Sequence, residues 1–119
     1  MKRTLLLILL LGGFALAQTP KHSATLNWSA SPDAGTFAGL SYNVYRADGA
    51  CPSSGALTSP VKIGNTAALT YADTAVTAGA TYCYTVRAVT TAGVESADSA
   101  YSGGTVPLAP ASGLTVTVQ

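Results

Sequence analysis

The sequence predicts an all-β fold, an antiparallel sandwich or barrel, and three observations carry that expectation. Apolar and polar residues alternate with a period of two in short runs, most clearly in T-Y-C-Y-T-V-R-A-V at residues 81–89, the signature of a half-buried strand. Such runs recur at short intervals and are separated by Gly, Pro, Asn, Asp and Ser, the residues that turn a chain. Downstream of residue 17 no stretch carries a helical period, so strands must supply the core.

Taken in order, the first strand is marked by Ala24, Leu26 and Trp28 alternating with Thr25 and Asn27, and it ends in the breaker cluster of residues 29–39. Leu40, Tyr42 and Val44 alternate with Ser41, Asn43 and Tyr45 in the second, which runs into a Gly-, Pro- and Ser-rich loop over residues 48–60. Val61 to Ile63 is a short third strand, after which Gly64 and Asn65 are expected to turn the chain. Leu69 and Tyr71 mark a fourth strand and residues 73–79 a corner. Residues 81–90 form the fifth, with Tyr82, Tyr84, Val86 and Ala88 on one face and Cys83, Thr85 and Arg87 on the other. Ala92 and Gly93 turn it, and residues 99–106 make a weaker sixth.

Ahead of these strands stand Lys2 and Arg3, an apolar run from Leu5 to Leu11, and the small-residue motif Ala15-Leu16-Ala17. This order reads as a secretory signal peptide over residues 1–17, cleaved near Ala17. The apolar stretch is shorter than the roughly 20 residues that cross a bilayer, so no transmembrane segment is expected after cleavage, and Gln18 is not the cysteine of a lipoprotein anchor. The expected localisation is periplasmic or extracellular. A single domain over residues 18–107 is expected next, followed by a tail over residues 108–119.

Cleavage leaves Lys21, Arg46, Lys62 and Arg87 against Asp33, Asp48, Asp73, Glu95 and Asp98, four cations against five carboxylates. No basic patch can be assembled from four scattered cations, so nucleic-acid and anionic-membrane binding lose their electrostatic footing. Two cysteines, Cys51 and Cys83, in an exported chain read as one disulfide. Free thiols are the alternative. A metal site is weaker still, since His22 is the only histidine and no CxxC or HxxH spacing occurs. The bridge would close a loop of about thirty residues and contribute about 3 to 4 kcal/mol.

The residues now carry a resemblance. S-A-T-L-N-W at 23–28 resembles strand B of a bacterial fibronectin type III domain with its core tryptophan, and Y-N-V-Y-R at 42–46 resembles strand C. T-Y-A-D-T at 70–74, then Val76, Gly79, Thr81 and Tyr82, resembles strand E passing through the corner into strand F; V-R-A-V at 86–89 with Ala92, Gly93, Glu95 and Ser96 completes F and its loop. The match runs from about Ser23 to Val106. It implies an immunoglobulin-like antiparallel β-sandwich of seven strands, or six plus a short or displaced strand A. It further implies a tyrosine corner at Tyr82 and a core of Leu26, Trp28, Tyr42, Val44, Tyr71, Tyr84 and Val86. With strands C and F as neighbours, Cys51 and Cys83 fall at the same end of one sheet, where the bridge acts as a staple on the loop after strand C; that loop would otherwise be mobile.

The resemblance also exposes a departure. Only residues 18–22 stand between the cleavage site and strand B, so strand A is very short. The tail, P-L-A-P-A-S-G-L-T-V-T-V-Q at 107–119, resembles the linker and strand A that open a following domain. Three readings stay open: a remnant of a longer multi-domain chain, a strand folded back on its own domain, or a strand added to another copy or another protein.

Candidate chemistry is sparse. No G-x-S-x-G elbow accompanies His22, which reads as a solvated terminal residue. Asp73 reads as a turn cap, and Glu95 with Asp98 lacks a third oxygen-rich partner for calcium. The sequon Asn27-Trp28-Ser29 falls in a strand, and no Arg-Gly-Asp tripeptide occurs. The alternation leaves Asn43, Tyr45, Thr85 and Arg87 outside on strands C and F, a polar-aromatic patch of the composition interfaces favour. The expectation is therefore a non-catalytic secreted module, without cofactor or metal, for extracellular protein or polysaccharide binding or spacing. Its alternatives are a structural subunit assembling by strand addition through the tail, and a fragment of a larger carbohydrate-active or cell-surface protein.

Overall fold

The computed structural model describes residues 21–119. The signal peptide expected over residues 1–17, and most of the short strand A expected over residues 18–22, lie outside the described residues. Six strands are present among the described residues: β1 (Ala24–Asn27), β2 (Ser41–Asp48), β3 (Val61–Thr66), β4 (Thr70–Asp73), β5 (Thr81–Val89) and β6 (Ser102–Thr105). They form two antiparallel sheets, β1-β4 and β3-β2-β5-β6, which pack as the two layers of a β-sandwich.

Alternation decides which side chains fill the space between the layers. Tyr42 and Val44 from β2 pack with Val86 from β5, and Leu26, Trp28 and Tyr71 close on them from the opposite sheet. Trp28 meets Tyr42 edge-on, ring centroids 5.7 Å apart, the geometry that aromatic quadrupoles favour. Tyr82 and Tyr84 form the next layer with Val106. All seven residues expected in the core thus face it. Tyr82 accepts a hydrogen bond at its hydroxyl from the Thr77 amide, 3.0 Å, and so pins the corner between β4 and β5 as expected of a tyrosine corner.

The structure departs most from the sequence reading at three places. Gly64 and Asn65 do not turn the chain; they lie inside β3, and the turn follows at residues 67–69. Gly64 is required there because a Cβ would come within 2.5 Å of the Tyr71 ring, which crosses it to donate its hydroxyl to the Ile63 carbonyl. The sixth strand is shorter than residues 99–106, because Ser99 turns inward to bond β5, and β6 starts only at Ser102. At Gly103 the β6 backbone lies so close to β5 that a Cβ would collide with the Tyr82 carbonyl oxygen. The loop after β2, expected to be mobile apart from its staple, is anchored twice: Cys51 is bonded to Cys83, and Leu57 is buried against Cys83 and Ala47.

Candidate functional site

The outer face of the larger sheet brings Arg87, Glu95 and Asp98 together. Register places Asn43 opposite Arg87, Tyr45 opposite Thr85 and Ala47 opposite Cys83, with Asn65 of β3 beside Asn43. Arg87 stands at the centre. Its guanidinium lies 4.4 Å from the Tyr45 ring centroid, its Nε donates to Asp98 at 2.6 Å, and its Nη1 reaches Glu95 at 3.1 Å. The other Glu95 oxygen accepts from Asn43 Nδ2 at 2.7 Å and from the Tyr45 hydroxyl. Asn65 donates to Asn43 Oδ1 at 2.8 Å, and Tyr101 donates to the second Asp98 oxygen.

Protonation follows from these contacts. Hydrogen bonds from Tyr45 and Asn43, and then from Arg87, hold the Glu95 carboxyl below its ordinary value. The same Glu95 bond, followed by partial burial and the carboxylate charge, raises Tyr45. Arg87, bonded first to Asp98 and then to Glu95, is raised and permanently cationic. At neutral pH the Arg87 cation therefore sits beside an ionised Glu95.

This arrangement corrects the expected open patch. Tyr45 and Arg87 remain partly accessible, but Asn43 is 7% and Thr85 only 1% exposed. The reason is a roof over β5 that no strand pattern announces. Residues 95–101 fold back along the strand: Thr85 Oγ1 donates to the Ser99 carbonyl, the Val86 amide donates to Ser99 Oγ, the Ser99 amide to the Val86 carbonyl and the Ser96 amide to the Ala88 carbonyl. Glu95 bridges to Val89. Glu95 and Asp98, weighed from sequence as a weak calcium pair, are instead the partners of Arg87. Among the described residues no group of three or more metal-ligating side chains occurs.

A second cluster lies on the opposite face of the same sheet. Asp73, expected to cap the corner, does so by accepting from the Ala75 amide at 3.1 Å. It also accepts from Arg46 Nη1 at 2.8 Å and from the Tyr84 hydroxyl at 2.8 Å, tying β4 to β2 and β5 across the sandwich. Arg46 lies over Tyr82, 5.0 Å from the ring centroid. Burial pushes the Asp73 carboxyl up, but the bonds from Arg46, Tyr84 and the Ala75 amide together outweigh it and leave the group below its ordinary value. Burial, then the Asp73 bond, raises Tyr84. A signal for this clamp exists in the sequence: Arg46 is in phase with Tyr42 and Val44, so alternation aims it inward, and an inward arginine demands a carboxylate.

A third feature is a groove of about 540 Å³ along the other side of the sandwich, between β1 and β6 and floored by Tyr84 and Val86. His22, expected to be a solvated terminal residue, stands apart from it beside Ser23 and Val76.

No protein-family model matches the chain. Over 88 residues, 74% of the chain, it is 39% identical to Exoglucanase B of Cellulomonas fimi, of which the matched stretch makes up 7%. It is also similar to the crystal structure of a Fn3-like protein from Clostridium thermocellum, with a TM-score of 0.53 and 33% identity, covering 72% of this chain and 78% of that one.

Proposed function

The chain belongs to the fibronectin type III family, and on that premise we propose that it works as a non-catalytic, exported module that spaces and contacts protein or polysaccharide. One observation carries the reading: its outward-facing polar groups are spent on one another. Glu95 accepts from three side chains, Asp98 from two, and Arg87 divides its donors between them. Glu95, so engaged, is held ionised and oriented by its own sheet, the reverse of the raised pKa and open approach that a general acid needs. The network makes a stiff plate, and stiffness is what a spacer requires.

The setting is supported from two directions. The Cys51–Cys83 bond favours an oxidising compartment, in keeping with export through the amino-terminal segment. Similarity to a small part of an exoglucanase favours a polysaccharide-associated protein, in which this module accompanies chemistry located elsewhere. Contact with a glycan falls to Tyr45, the one aromatic ring on the outer face with an arginine stacked over it.

The test uses the purified chain. It should show no turnover of glycosidase, esterase or protease substrates, and any retardation in gels containing soluble polysaccharide should disappear in Tyr45→Ala. Turnover of a defined substrate that is lost in Glu95→Gln would overturn the proposal.

A further inference from the structure

Strand β1 bonds β4 along one edge, and among the described residues no strand pairs with its other edge. That free edge borders the groove between β1 and β6, where the two sheets stand apart and the core is reached from the side. Ala24, Leu26 and Trp28 face this interior, all only half-buried. The Trp28 indole N–H is buried without a hydrogen-bond partner, an uncommon state for a buried donor. An apolar, unpaired edge of this kind is a template for another strand.

The chain carries a matching strand pattern in its tail, which forms no strand in the isolated fold. Leu114, Val116 and Val118 alternate with Thr115 and Thr117, and the three apolar side chains are 88%, 76% and 85% exposed. Set antiparallel to β1 with Val116 opposite Leu26, this segment puts Leu114 opposite Trp28 and Val118 opposite Ala24. All three apolar residues then point into the groove. The same register lays Thr117 beside Thr25 and Thr115 beside Asn27 on the solvent side. A slip of one residue would reverse every side chain, so only shifts by an even number of residues keep both faces matched.

Connectivity decides whose tail this is. Val106, just past the end of β6, and Ala24, at the start of β1, belong to one apolar cluster, so β6 and β1 run in opposite directions along the groove. A strand antiparallel to β1 is therefore parallel to β6. Joining β6 to a parallel neighbour takes a crossover of about a dozen residues or more, and only residues 107–113, two of them proline, are available. The tail of the same chain is thus poorly placed to enter in the favoured direction, whereas a tail arriving from a neighbour is free of that constraint.

We propose that the β1 edge and its groove receive residues 114–118 of a second copy of this chain as an added antiparallel strand. Reciprocal exchange closes a dimer, and one-way donation builds a chain of domains. The inference is independent of polysaccharide contact, which lies on the opposite sheet surface.

Trp28 is the sole tryptophan, so its emission reports on the groove directly. Light scattering of the full chain over a wide concentration range should show mass rising with concentration, with Trp28 emission shifting in parallel. Val116→Glu, at a position 76% exposed in the isolated fold, should weaken association by about tenfold or more, because it forces a carboxylate against an apolar wall. A synthetic peptide of residues 112–119 added to the Val116→Glu chain should then shift Trp28 emission saturably, and a scrambled peptide should not. Three results would overturn the proposal: a wild-type chain monomeric at every concentration, a Val116→Glu chain that associates as tightly as wild type, or no response to the peptide. A monomer whose Trp28 emission changes on Val116→Glu at all concentrations would assign the groove to the chain's own tail.

Discussion

Arg46 and Arg87 hold the same kinds of partner on opposite faces of one sheet: each lies over a tyrosine ring and each binds carboxylate. Their surroundings differ. Asp73, the partner of Arg46, is 4% exposed and belongs to the other sheet, so the pair crosses the sandwich. Glu95 and Asp98, the partners of Arg87, are about a quarter exposed and belong to the loop that follows the same strand. Similar chemistry therefore does different work. Inside, it locks two layers at a fixed spacing, and loss of the buried carboxylate leaves the buried Tyr84 hydroxyl without its partner. Outside, it shapes a surface where water screens the charges, and little stability is at stake.

The sharpest way to break the comparison is to remove the inner carboxylate. Asp73→Ala strips the partner from Arg46, the Tyr84 hydroxyl and the Ala75 amide together, and should destabilise the domain by about 3 to 5 kcal/mol. Urea denaturation checks this, with near-ultraviolet circular dichroism to report the tyrosines. A loss of less than about 1 kcal/mol would place the inner cluster in the same class as a surface pair.

The disulfide comes next. Cys83 sits on the outer face in line with Thr85 and Arg87, and its bond to Cys51 closes a separation of 32 residues. Replacing both cysteines by serine should cost about 3 to 4 kcal/mol. It should also raise amide exchange in residues 49–57 while leaving the Arg46–Asp73 clamp protected. Exchange that rises equally on both faces would mean that the staple supports the whole sandwich and not its outer loop.

How far the sequence reveals this structure differs between the same two faces. The inner face was legible because it depends on period: Tyr42 and Val44, and Tyr84 and Val86, alternate within single strands, and the register of β2 on β5 then places them together. The outer face was legible only in part. Alternation correctly turned Asn43, Tyr45, Thr85 and Arg87 outward, yet it carries no information about what lies above them. Residues 95–101 cover Thr85 through backbone and serine hydrogen bonds, with no alternation and few apolar residues to announce it. Gly64 misled for a related reason: a glycine that signals a turn and a glycine that makes room for Tyr71 are the same letter.

A smaller effect is expected at Arg87. Arg87→Ala leaves Glu95 with Tyr45 and Asn43 and leaves Asp98 with Tyr101, and both carboxylates are about a quarter exposed, so the loss should be about 1 kcal/mol or less. Salt sharpens the contrast. Raising NaCl to about 0.5 M should shrink this increment, because exposed pairs are screened, and should hardly touch the increment at Asp73. An Arg87→Ala penalty that is large and insensitive to salt would show that residues 95–101 are a structural roof whose charges are effectively buried.

Acid titration separates the two clusters by the smallest difference. Asp73 and Glu95 are both held below their ordinary carboxylate values, so the unfolded chain takes up protons before the folded one does. Each group therefore contributes stability that is fully present above the ordinary carboxylate range and is lost as the pH falls below about 4 toward the folded value. Urea midpoints measured from neutral pH downward should stay flat and then drop in that window. Asp73→Asn should flatten the drop more than Glu95→Gln, because Asp73 is nearly buried and its bonds reach across the sandwich, while Glu95 keeps water nearby. If Glu95→Gln flattens the curve more, the outer cluster carries the larger share of the acid-labile stability, and the division of work between the two arginines is reversed.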